Sequence, residues 1–492
     1  MVVGRKLLGI DGGGARGVSP LEFMTELQKL LGNCLLHDLI DLALGTSSDE
    51  SNRHLGGLTV LAQFHQKWPV SECASTFETL AIKCFSGSGS LIGRLKSMVN
   101  YITTDAMYKE NLLERALQET FQACEFFGFV PHIIQGTKVA VTATSGGNSR
   151  TILTNYNGPV ALSGKEGYSL VRPDDILHEP LLWQALGPRH NRCTNPIKIG
   201  DQEFWDGGLG FPNPIELATW EAKRIWSENT VHDITLSLGT GEVIKGKSNV
   251  KRSSHSIIRL WASFMDFLDG HTRSRDMTNC LSEQHRKDYF RLDTQLSSPI
   301  RLDDVENLQS QKERIHLNPL CQLTEVATAL LVSNFFFTLD QPSCYQGGFY
   351  YCQGSIRCRI NPKDVFNALG ELHASTLQFV IESEVIGDCS IANICAACCR
   401  YRKQVSFFVR QPKDIVSISL QGKQSFQRKI SGFPNSIQWF EVQQGFHSPF
   451  GKQNTHFLTF SCPICDESKK RKASGNGIIS ESFKKKKRIP AS

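Results

Sequence analysis

The length of 492 residues, with 40% hydrophobic and 21% charged residues, provides for a large α/β domain and a smaller one in a soluble globular protein. The longest apolar stretches, such as Ala327–Leu339 with Asn334 inside it, are too short to span a membrane. We expect no signal peptide, because a strand begins almost at once, and the sixteen scattered cysteines favour reduced thiols in the cytoplasm or nucleus.

A glycine-rich turn follows the first predicted strand. The apolar run Lys6–Ile10 leads into Asp11-Gly12-Gly13-Gly14-Ala15-Arg16-Gly17, and a helix is predicted over Val18–Leu31. Successive glycines allow backbone N–H groups to converge on one point, and the helix adds the positive end of its dipole. The turn is therefore typical of an anion site.

Three interpretations of this turn stay open. It could be a purely structural turn, a dinucleotide-binding loop or an oxyanion hole, whereas a P-loop is excluded because no Gly-Lys-Ser/Thr follows. The spacing Gly12-x-Gly14-x-x-Gly17 fits the dinucleotide fingerprint, which also expects an acidic residue closing a second strand. Asp38 and Asp41 come before a quite different turn.

That different turn follows the second predicted strand, Leu39–Leu44, and reads Gly45-Thr46-Ser47-Ser48. A serine on a sharp turn between a strand and a helix is a nucleophile elbow. The glycine two residues before it relieves crowding, and the next helix directs its N-terminus at the developing oxyanion. A glycine loop and an elbow in this order supply both halves of an acyl-transfer site.

A third motif lies far downstream, where a predicted strand ends in Phe204-Trp205-Asp206 and continues as Gly207-Gly208-Leu209. The glycines let the backbone turn sharply and leave the carboxylate of Asp206 pointing into a cleft, where it can act as a base. Taken alone, Asp-Gly-Gly is ordinary turn chemistry.

Together and in this order, Asp-Gly-Gly-Gly-x-Arg-Gly, Gly-Thr-Ser-Ser and Asp-Gly-Gly resemble the patatin-like phospholipase family. The runs Gly57–Ala62 and Ser237–Gly241 match as well, and the resemblance covers roughly the first three quarters of the chain. It implies a patatin-like three-layer α/β sandwich with a central, mostly parallel sheet. It also implies a Ser/Asp dyad that hydrolyses acyl esters of glycerolipids, without calcium or any other metal.

Carried over residue by residue, the resemblance makes Ser47 the nucleophile and Asp206 the base that accepts its proton and later activates water. The oxyanion hole would be formed by backbone N–H groups, with further residues supporting it: Gly12, Gly13 and Gly14, then Arg16, Gly45, Gly207 and Gly208. An aspartate with an ordinary pKa of about 4 is a weak base for a hydroxyl, so the site must desolvate it or rely on the oxyanion hole.

The sequence departs from the family directly after the elbow. Asp49 follows Ser48 where Gly-x-Ser-x-Gly expects glycine, and the pattern resumes at Gly56-Gly57 once Asp49–Leu55 is skipped. We interpret this segment as a polar insertion, with a misjoined gene model as the alternative. Either it loops out and the elbow survives, or the site is impaired, because a carboxylate beside the oxyanion opposes the developing charge by roughly a few kcal/mol. The second outcome would leave a catalytically silenced binding or regulatory protein of the same fold.

A second departure lies upstream of Asp206, where Leu182–His190 replaces the small-residue run that the family places there. That run normally packs under the catalytic loop. The expected distance between Ser47 and Asp206 is therefore less well defined by the motifs.

After about residue 385 the helical pattern of Lys363–Ile386 gives way to cysteines and alternating apolar residues. Short strands are predicted at Val405–Val409, Ile415–Leu420 and Ile437–Phe440. Two cysteine pairs, Cys395 with Cys398 and Cys462 with Cys465, could form a tetrahedral structural zinc site. Their separation exceeds the usual ribbon spacing, Cys389 and Cys399 confuse the register, and reduced, unliganded cysteines are the alternative.

The predicted organisation is a patatin-like domain over residues 1–385, a small β-rich cysteine-containing domain over 386–466 and a disordered basic tail over 467–492. The tail holds Lys469–Lys472 and Lys484–Arg488, which resemble a bipartite nuclear localisation signal or could touch anionic lipid or nucleic acid nonspecifically. Because this basic excess is larger than the net charge of +6, the folded body is close to neutral. We expect a lipid substrate or membrane surface as its partner, and no nucleic acid.

Overall fold

The protein is described from a computed structural model. The residues that the structure describes are 3–12, 14–46, 55–85, 110–122, 124, 126, 136–145, 149–157, 167–172, 181–182, 197–199, 202–206, 211, 213–227, 230–243, 278–279, 281–296, 308–316, 320–374, 376–422, 426–446 and 462.

The chain divides into two compact units. The N-terminal unit comprises Gly4–Ser333 with Asn367–Ala374, and the C-terminal unit comprises Met1–Val3, Asn334–Phe366 and Ser375–Ser492. The main division therefore falls earlier than the boundary predicted at residue 385. The reason is that the strands that the structure describes after Asn334 pair among themselves.

The described residues of the N-terminal unit form one nine-stranded sheet. The strands of this unit are β1 (Arg5–Ile10), β2 (Leu42–Gly45), β3 (Lys138–Ser145), β4 (Ser149–Thr154), β5 (Ser169–Val171), β6 (Ile197–Ile199), β7 (Gln202–Asp206), β8 (His232–Leu238), β9 (Glu242–Val243), β10 (Tyr289–Leu292) and β11 (Gln295–Leu296). Of these, β9 and β11 lie outside the sheet and form a separate two-stranded ladder. The order is β10-β8-β1-β2-β3-β4-β5, and the first five of these strands run parallel. β4 and β7 both pair antiparallel with β3, and β6 pairs with β7.

Helices of the N-terminal unit connect these strands. They are α1 (Val18–Leu31), α2 (Leu36–Leu39), α3 (Leu55–Val60), α4 (Val70–Phe85), α5 (Glu110–Phe121), α6 (Ile215–Trp226), α7 (Glu283–Arg286), α8 (Leu308–His316) and α9 (Leu320–Val332). A 3-10 turn at Gly14–Gly17 precedes α1, and a π-helical turn at Leu61–His65 continues α3.

Helices cover both faces of the central strands. On one face Leu7 and Leu44 pack into a buried cluster with Ile215 of α6. On the other face α3 lies so close to β2 that a Cβ on Gly45 would collide with the carbonyl oxygen of Gly56. Because both faces are buried, the parallel strands are nearly continuous apolar runs. The predicted three-layer architecture with a mostly parallel central sheet is confirmed.

The first helix and the second strand lie at or near their predicted positions. The helix predicted over Val18–Leu31 is confirmed with the same bounds. The strand predicted over Leu39–Leu44 is shifted and becomes Leu42–Gly45. The shift arises because α2 includes Leu39, and Asp41 uses its carboxylate to accept the Lys6 N–H at 2.9 Å before the strand begins.

The C-terminal unit contains two four-stranded antiparallel sheets and a short ladder. Its strands are β12 (Phe335–Leu339), β13 (Cys344–Gln346), β14 (Phe349–Cys358), β15 (Leu377–Ile381), β16 (Glu384–Cys389), β17 (Arg402–Val409), β18 (Ile415–Val416), β19 (Ile418–Gly422), β20 (Phe426–Lys429) and β21 (Asn435–Ser436). One sheet joins β12, β13, β14 and β17, the other joins β15, β16, β19 and β20, and β18 pairs with β21. The predicted β-rich character of this part is confirmed.

Aromatic side chains form the core of this unit. Phe335 of β12 meets Phe379 of β15 at a ring-centroid distance of 5.7 Å and Tyr401 at 5.4 Å, both edge to face. Phe337 meets Phe440 at 5.4 Å in the same geometry. Such pairs favour edge-to-face packing because of the ring quadrupole. The two sheets therefore share one aromatic core.

Two helical elements complete this part of the chain: α10 (Pro362–His373), which continues into the N-terminal unit, and α11 (Ile437–Gln443). A 3-10 turn lies at Ile391–Asn393. In the described part of the chain, none of the helices combines the length and apolar character needed to cross a membrane.

Two predictions for this region are wrong. The segment Ile437–Phe440, predicted as a strand, is the start of α11, because the Ser436 hydroxyl caps the helix by accepting the Trp439 N–H. The helical pattern of Lys363–Ile386 stops at His373, since the residues from Leu377 pair with both β16 and β19.

The other two predicted strands fare better. Val405–Val409 is confirmed within β17, with alternate side chains buried as a half-buried strand requires. Ile415–Leu420 is divided between β18 and β19, which belong to different ladders.

Candidate active site

The glycine loop lies where strand order reverses, at the carboxyl end of β1 between β8 and β2. Asp11 donates its N–H to the Leu238 carbonyl at 3.0 Å, and the Gly12 carbonyl accepts the Thr240 hydroxyl at 3.3 Å. Gly14 opens the 3-10 turn that leads into α1, so the positive end of that helix dipole lies at the same edge. Open α/β sheets bind their ligands at this kind of switch point.

The elbow motif lies on the neighbouring strand. Gly45 at the end of β2 is in register with Ile10, and the Thr46 N–H donates to the Ile10 carbonyl at 3.0 Å. Helix α3 begins at Leu55 and packs closely against this strand end. A Cβ on Gly56 would lie only 2.5 Å from the Thr46 carbonyl oxygen and 2.8 Å from the Asp11 carbonyl oxygen. Gly56 thus occupies a place where only glycine fits, as the interrupted elbow pattern predicts for a small residue after the nucleophile.

Strand pairing brings Asp206 to the same place. β4 occupies one side of β3 over Ala140–Ser145, so β2 and β7 must share the other side. β2 ends at Gly45 opposite Val141, and β7 runs the opposite way and ends at Asp206 opposite Ala143. Two residues of strand correspond to about 7 Å, so the two strand ends face each other across a short gap.

The structure thus gathers the backbones of four predicted site residues, Gly12, Gly14, Gly45 and Asp206, at the carboxyl edge of β1 and β2. Arg16 lies half-buried in the 3-10 turn beside them. The other predicted site residues of this unit, namely Ser47, Gly13, Gly207 and Gly208, lie outside the described residues, as does the insertion before Leu55. The dyad itself stays a prediction.

Of the second departure from the family, Leu182–His190, the structure describes only the first residue. Leu182 is fully buried and donates its N–H to the Cys124 carbonyl at 2.8 Å, and residues 183–190 lie outside the described part. Leu182 therefore contributes to the core of the unit.

A partly buried arginine, which the sequence motifs did not reveal, binds the glycine loop. Arg291 of β10 donates to Asp11 at 2.7 Å, to Asp293 at 2.6 Å and to the Ser237 hydroxyl at 2.7 Å. Asp293 in turn accepts the Gly241 N–H at 2.8 Å. One guanidinium therefore links the loops that follow β1, β8 and β10.

Electrostatics favour this arrangement. Burial on its own lowers the pKa of Arg291, but the neighbouring carboxylates of Asp11 and Asp293 outweigh burial and raise that pKa above its ordinary value. Arg291 is therefore a permanent cation, and the Asp11 carboxylate is committed to it. The sequence offered one signal for Arg291, namely the charged Arg-x-Asp pair at the end of an apolar strand. This pair matches no known motif, so the sequence alone did not point to it.

A second buried network ties α6 to this edge. Asn213 donates to the Ser237 hydroxyl at 3.3 Å and accepts the Ile215 N–H at 3.0 Å, at the start of α6. The Thr46 hydroxyl, fully buried, donates to the Phe211 carbonyl at 2.6 Å. The residue before Ser47 is thereby anchored to the segment that follows Asp206 along the chain.

Mammalian phospholipases are among the proteins that resemble this chain in sequence. No family model matches the chain. The chain is 25% identical over 321 residues to calcium-independent phospholipase A2-gamma of Homo sapiens, a match that covers 62% of this chain and 36% of the human protein. The protein of the same name from Rattus norvegicus is 25% identical over 309 residues, covering 62% of this chain and 37% of the rat protein. The chain is a distant relative of the patatin-like phospholipases. The match spans little more than a third of the length of these phospholipases.

Among solved structures, the crystal structure of VipD from Legionella pneumophila is similar over 65% of this chain and 66% of that chain. Its TM-score is 0.28 and its sequence identity is 10%.

The predicted metal ligands lie in the C-terminal unit. Cys395, Cys398 and Cys462 are brought together, with all three Sγ atoms within 4.8 Å of one another. The fourth predicted ligand, Cys465, lies outside the described residues.

Proposed function

We propose that the N-terminal unit is a serine acyl hydrolase that cleaves acyl esters of glycerolipids through a Ser47/Asp206 dyad. The observation that carries the proposal is the meeting of β2 and β7 on one side of β3. It puts the strand that leads to Ser47 end to end with the strand that closes at Asp206, beside the glycine loop. The distant relationship to phospholipases supports a lipid ester as the substrate.

In the proposed mechanism Ser47 Oγ attacks the acyl carbonyl carbon while its proton passes to the Asp206 carboxylate. The tetrahedral oxyanion accepts backbone N–H bonds from Gly12, Gly13 and Gly14. The ester C–O bond then breaks as Asp206 returns the proton to the leaving alkoxide, which leaves an acyl-serine and a lysolipid. Water gives a proton to Asp206, attacks the acyl group and releases the fatty acid, and Ser47 recovers its proton.

Two aspartates compete for the role of base, and the contacts of Asp11 assign it a different role. Asp11 is buried and tied to Arg291 at 2.7 Å, so its carboxylate positions the glycine loop. Asp206 ends its strand at the elbow, next to two glycines in the sequence. We therefore assign Asp206 as the base and Asp11 as a positioning residue.

The test is labelling of the full chain with a fluorophosphonate probe, with the modified residue located by mass spectrometry. Wild-type protein is expected to carry the label on Ser47, and Ser47→Ala to lose it. Hydrolysis of phosphatidylcholine vesicles in EDTA should fall about a thousandfold or more in Ser47→Ala and in Asp206→Asn. Ser48→Ala is the matched control, because it removes the neighbouring hydroxyl and should keep both labelling and turnover.

A folded wild-type chain that takes no label on Ser47 would refute the proposal, as would a Ser47→Ala variant that hydrolyses lipid as fast as wild type. Either result would favour the alternative, a catalytically silenced protein of this fold that binds lipid or a partner. Lipid binding alone would not separate the two, since an acyl-chain pocket could exist in both.

The insertion has its own test. Deletion of Asp49–Leu55 joins Ser48 directly to Gly56 and restores Gly-x-Ser-x-Gly. If the inserted charge restrains the site, ester hydrolysis rises in the deletion. An unchanged or lower rate in a folded deletion variant rejects the idea that the insertion blocks the elbow.

The predictions for the basic tail and for its nonspecific nucleic-acid contact concern residues outside the described part of the chain, and the structure does not test cytoplasmic or nuclear localisation. They stay predictions.

A further inference from the structure

Three cysteine sulfurs converge in the C-terminal unit. The Sγ atoms of Cys395 and Cys462 are 3.8 Å apart, although 67 positions separate them along the chain. A disulfide requires about 2.05 Å, so this pair is not bonded. Tetrahedral zinc with Zn–S bonds of about 2.3 Å holds its sulfurs about 3.8 Å apart. The observed separation therefore matches the edge of a zinc–thiolate tetrahedron.

The backbone around the first pair is folded so that both thiols can reach one point. The Cys395 N–H donates to the Arg400 carbonyl at 2.9 Å, and the Cys399 N–H donates back to the Cys395 carbonyl at 2.9 Å. Ile394 and Tyr401 close this tight turn as an antiparallel bridge. Cys399 takes φ of 54°, the left-handed conformation that reverses the chain directly after Cys398. The turn thus presents Cys395 and Cys398 as a chelating pair.

The structure also resolves which cysteines belong to the cluster. Cys389 is buried elsewhere, where its Sγ accepts the Tyr401 hydroxyl at 3.9 Å. Cys399 is exposed and serves the turn through its backbone. Among the described residues, the cluster consists of Cys395, Cys398 and Cys462. The sequence supplies a fourth thiol three positions later, at Cys465, with the same Cys-x-x-Cys spacing as the first pair.

We propose that Cys395, Cys398, Cys462 and Cys465 bind one structural zinc ion that fixes the end of the C-terminal unit to the turn at Cys395. Four thiols lose their protons on binding, and four thiolates complete the tetrahedron and close the site to water. Soft thiolate ligands in a tetrahedron select zinc or iron, and zinc binds more tightly than ferrous iron in a given site. Because the second pair lies far along the chain from the first, the metal closes a long loop. Closing such a loop costs entropy in the absence of metal, so the stabilisation by the metal is large.

The site is separate from the proposed hydrolase, so its test does not depend on that function. Zinc and iron are measured in the purified full-length chain by elemental analysis after dialysis against a weak chelator. About one zinc per chain is expected. Cys398→Ser and Cys462→Ser should each lose it, while Ser47→Ala should retain it.

Matched controls distinguish metal ligation from general damage. Cys399→Ser changes the thiol next to Cys398 and should keep the zinc, as should Cys344→Ser at an exposed cysteine of β13. Cys465→His keeps a zinc-binding side chain and should retain the metal, whereas Cys465→Ser should lose it. Replacement of zinc by cobalt should give the intense visible absorption of tetrahedral cobalt–thiolate bonds.

Clearly less than one zinc per wild-type chain, in protein produced with zinc in the medium, would overturn the proposal. The same holds for iron in place of zinc, and for zinc loss in Cys399→Ser as large as in Cys398→Ser. If the serine variants do not fold, cobalt substitution of the wild-type chain still decides, because a folded chain without the intense cobalt–thiolate absorption contradicts ligation by these cysteines.

Discussion

Removal of the Arg291 guanidinium should destabilise the N-terminal unit and disable the glycine loop. In Arg291→Met the carboxylates of Asp11 and Asp293 keep their charges but lose the cation between them. The Asp11 side chain is 3% exposed and that of Asp293 is 11% exposed, so water cannot replace the missing partner. The Ser237 hydroxyl also loses the donor at 2.7 Å and keeps the Asn213 amide at 3.3 Å.

The expected loss is about 3–5 kcal/mol, the usual cost of breaking a buried ion pair by removing one partner. Each of the three hydrogen bonds from Arg291 would contribute less than this on its own, about 1.5–3 kcal/mol for those to charged groups, and they do not add. The double variant Arg291→Met/Asp11→Asn should recover part of the loss, because it leaves one buried carboxylate fewer. Arg286→Met, at an exposed arginine of α7, is the matched control and should change stability by less than about 0.5 kcal/mol.

Urea unfolding of the N-terminal unit can be followed through a buried thiol. Burial, assisted by the charge of Glu72, raises the pKa of Cys73 to about 12, so this cysteine reacts with an alkylating reagent only after the unit opens. Mass spectrometry locates the modification and keeps this signal separate from the C-terminal unit. The urea midpoint should fall in Arg291→Met and stay unchanged in Arg286→Met.

The pH dependence provides an independent check. A raised pKa means that the stabilisation by Arg291 is fully present below the ordinary pKa of arginine and is lost only as the pH rises through the raised pKa. The difference between wild type and Arg291→Met should therefore be nearly constant between about pH 6 and pH 9. Equal midpoints for Arg291→Met and Arg286→Met would show that Arg291 does not hold the loops together.

Two further predictions concern the same unit. Gly56→Ala should lower the free energy of unfolding by about 1–3 kcal/mol in the same urea assay and should reduce ester hydrolysis, because the new Cβ would overlap two backbone carbonyls. Gly370→Ala, where a Cβ meets nothing within 4 Å, should instead raise the free energy of unfolding by about 0.5–1 kcal/mol. Equal effects of the two substitutions would contradict the close packing at Gly56. Tyr156→Phe removes a buried hydrogen bond of 2.8 Å to Glu221 and should cost about 1.5–3 kcal/mol at pH 7. Burial and the Glu221 charge raise the pKa of Tyr156, so the free energy of unfolding of the wild type should fall as the pH rises above about 10. The difference in free energy of unfolding between wild type and Tyr156→Phe should therefore become smaller at high pH. A difference that grows would contradict this assignment.

The parts of this fold that follow from local periodicity and turn chemistry could be predicted from the sequence. Helix α1 was predicted with its observed bounds because its apolar spacing begins directly after the glycine loop. The approach of Gly45 to Asp206 could not be derived in the same way. It depends on β2 and β7 sharing one side of β3, and such long-range strand pairing leaves no local signal.

Errors in the prediction also have local physical causes. Ile437–Phe440 is apolar enough for a strand, but the Ser436 cap and the burial of both Ile437 and Phe440 on one helical face decide for α11. Arg291 was overlooked because its importance comes from two aspartates that are remote from each other in sequence. The Cys-x-x-Cys spacing at Cys395 predicted a cysteine cluster. Only the structure showed that Cys389 lies elsewhere and is not part of it.

An insertion between Ser48 and Gly56 could act by displacing the following helix or by placing charge beside the nucleophile. Displacement is ruled out by the position of α3, whose residue Gly56 approaches the Thr46 carbonyl so closely that no side chain would fit. Because loop-closure entropy grows slowly, by about 0.6 kcal/mol per doubling of length, extra residues between anchors already in contact cost the fold little. The remaining candidate is the charge of Asp49, so we expect the proposed activity of Ser47 to depend on local electrostatics, while the packing of α3 against β2 is retained.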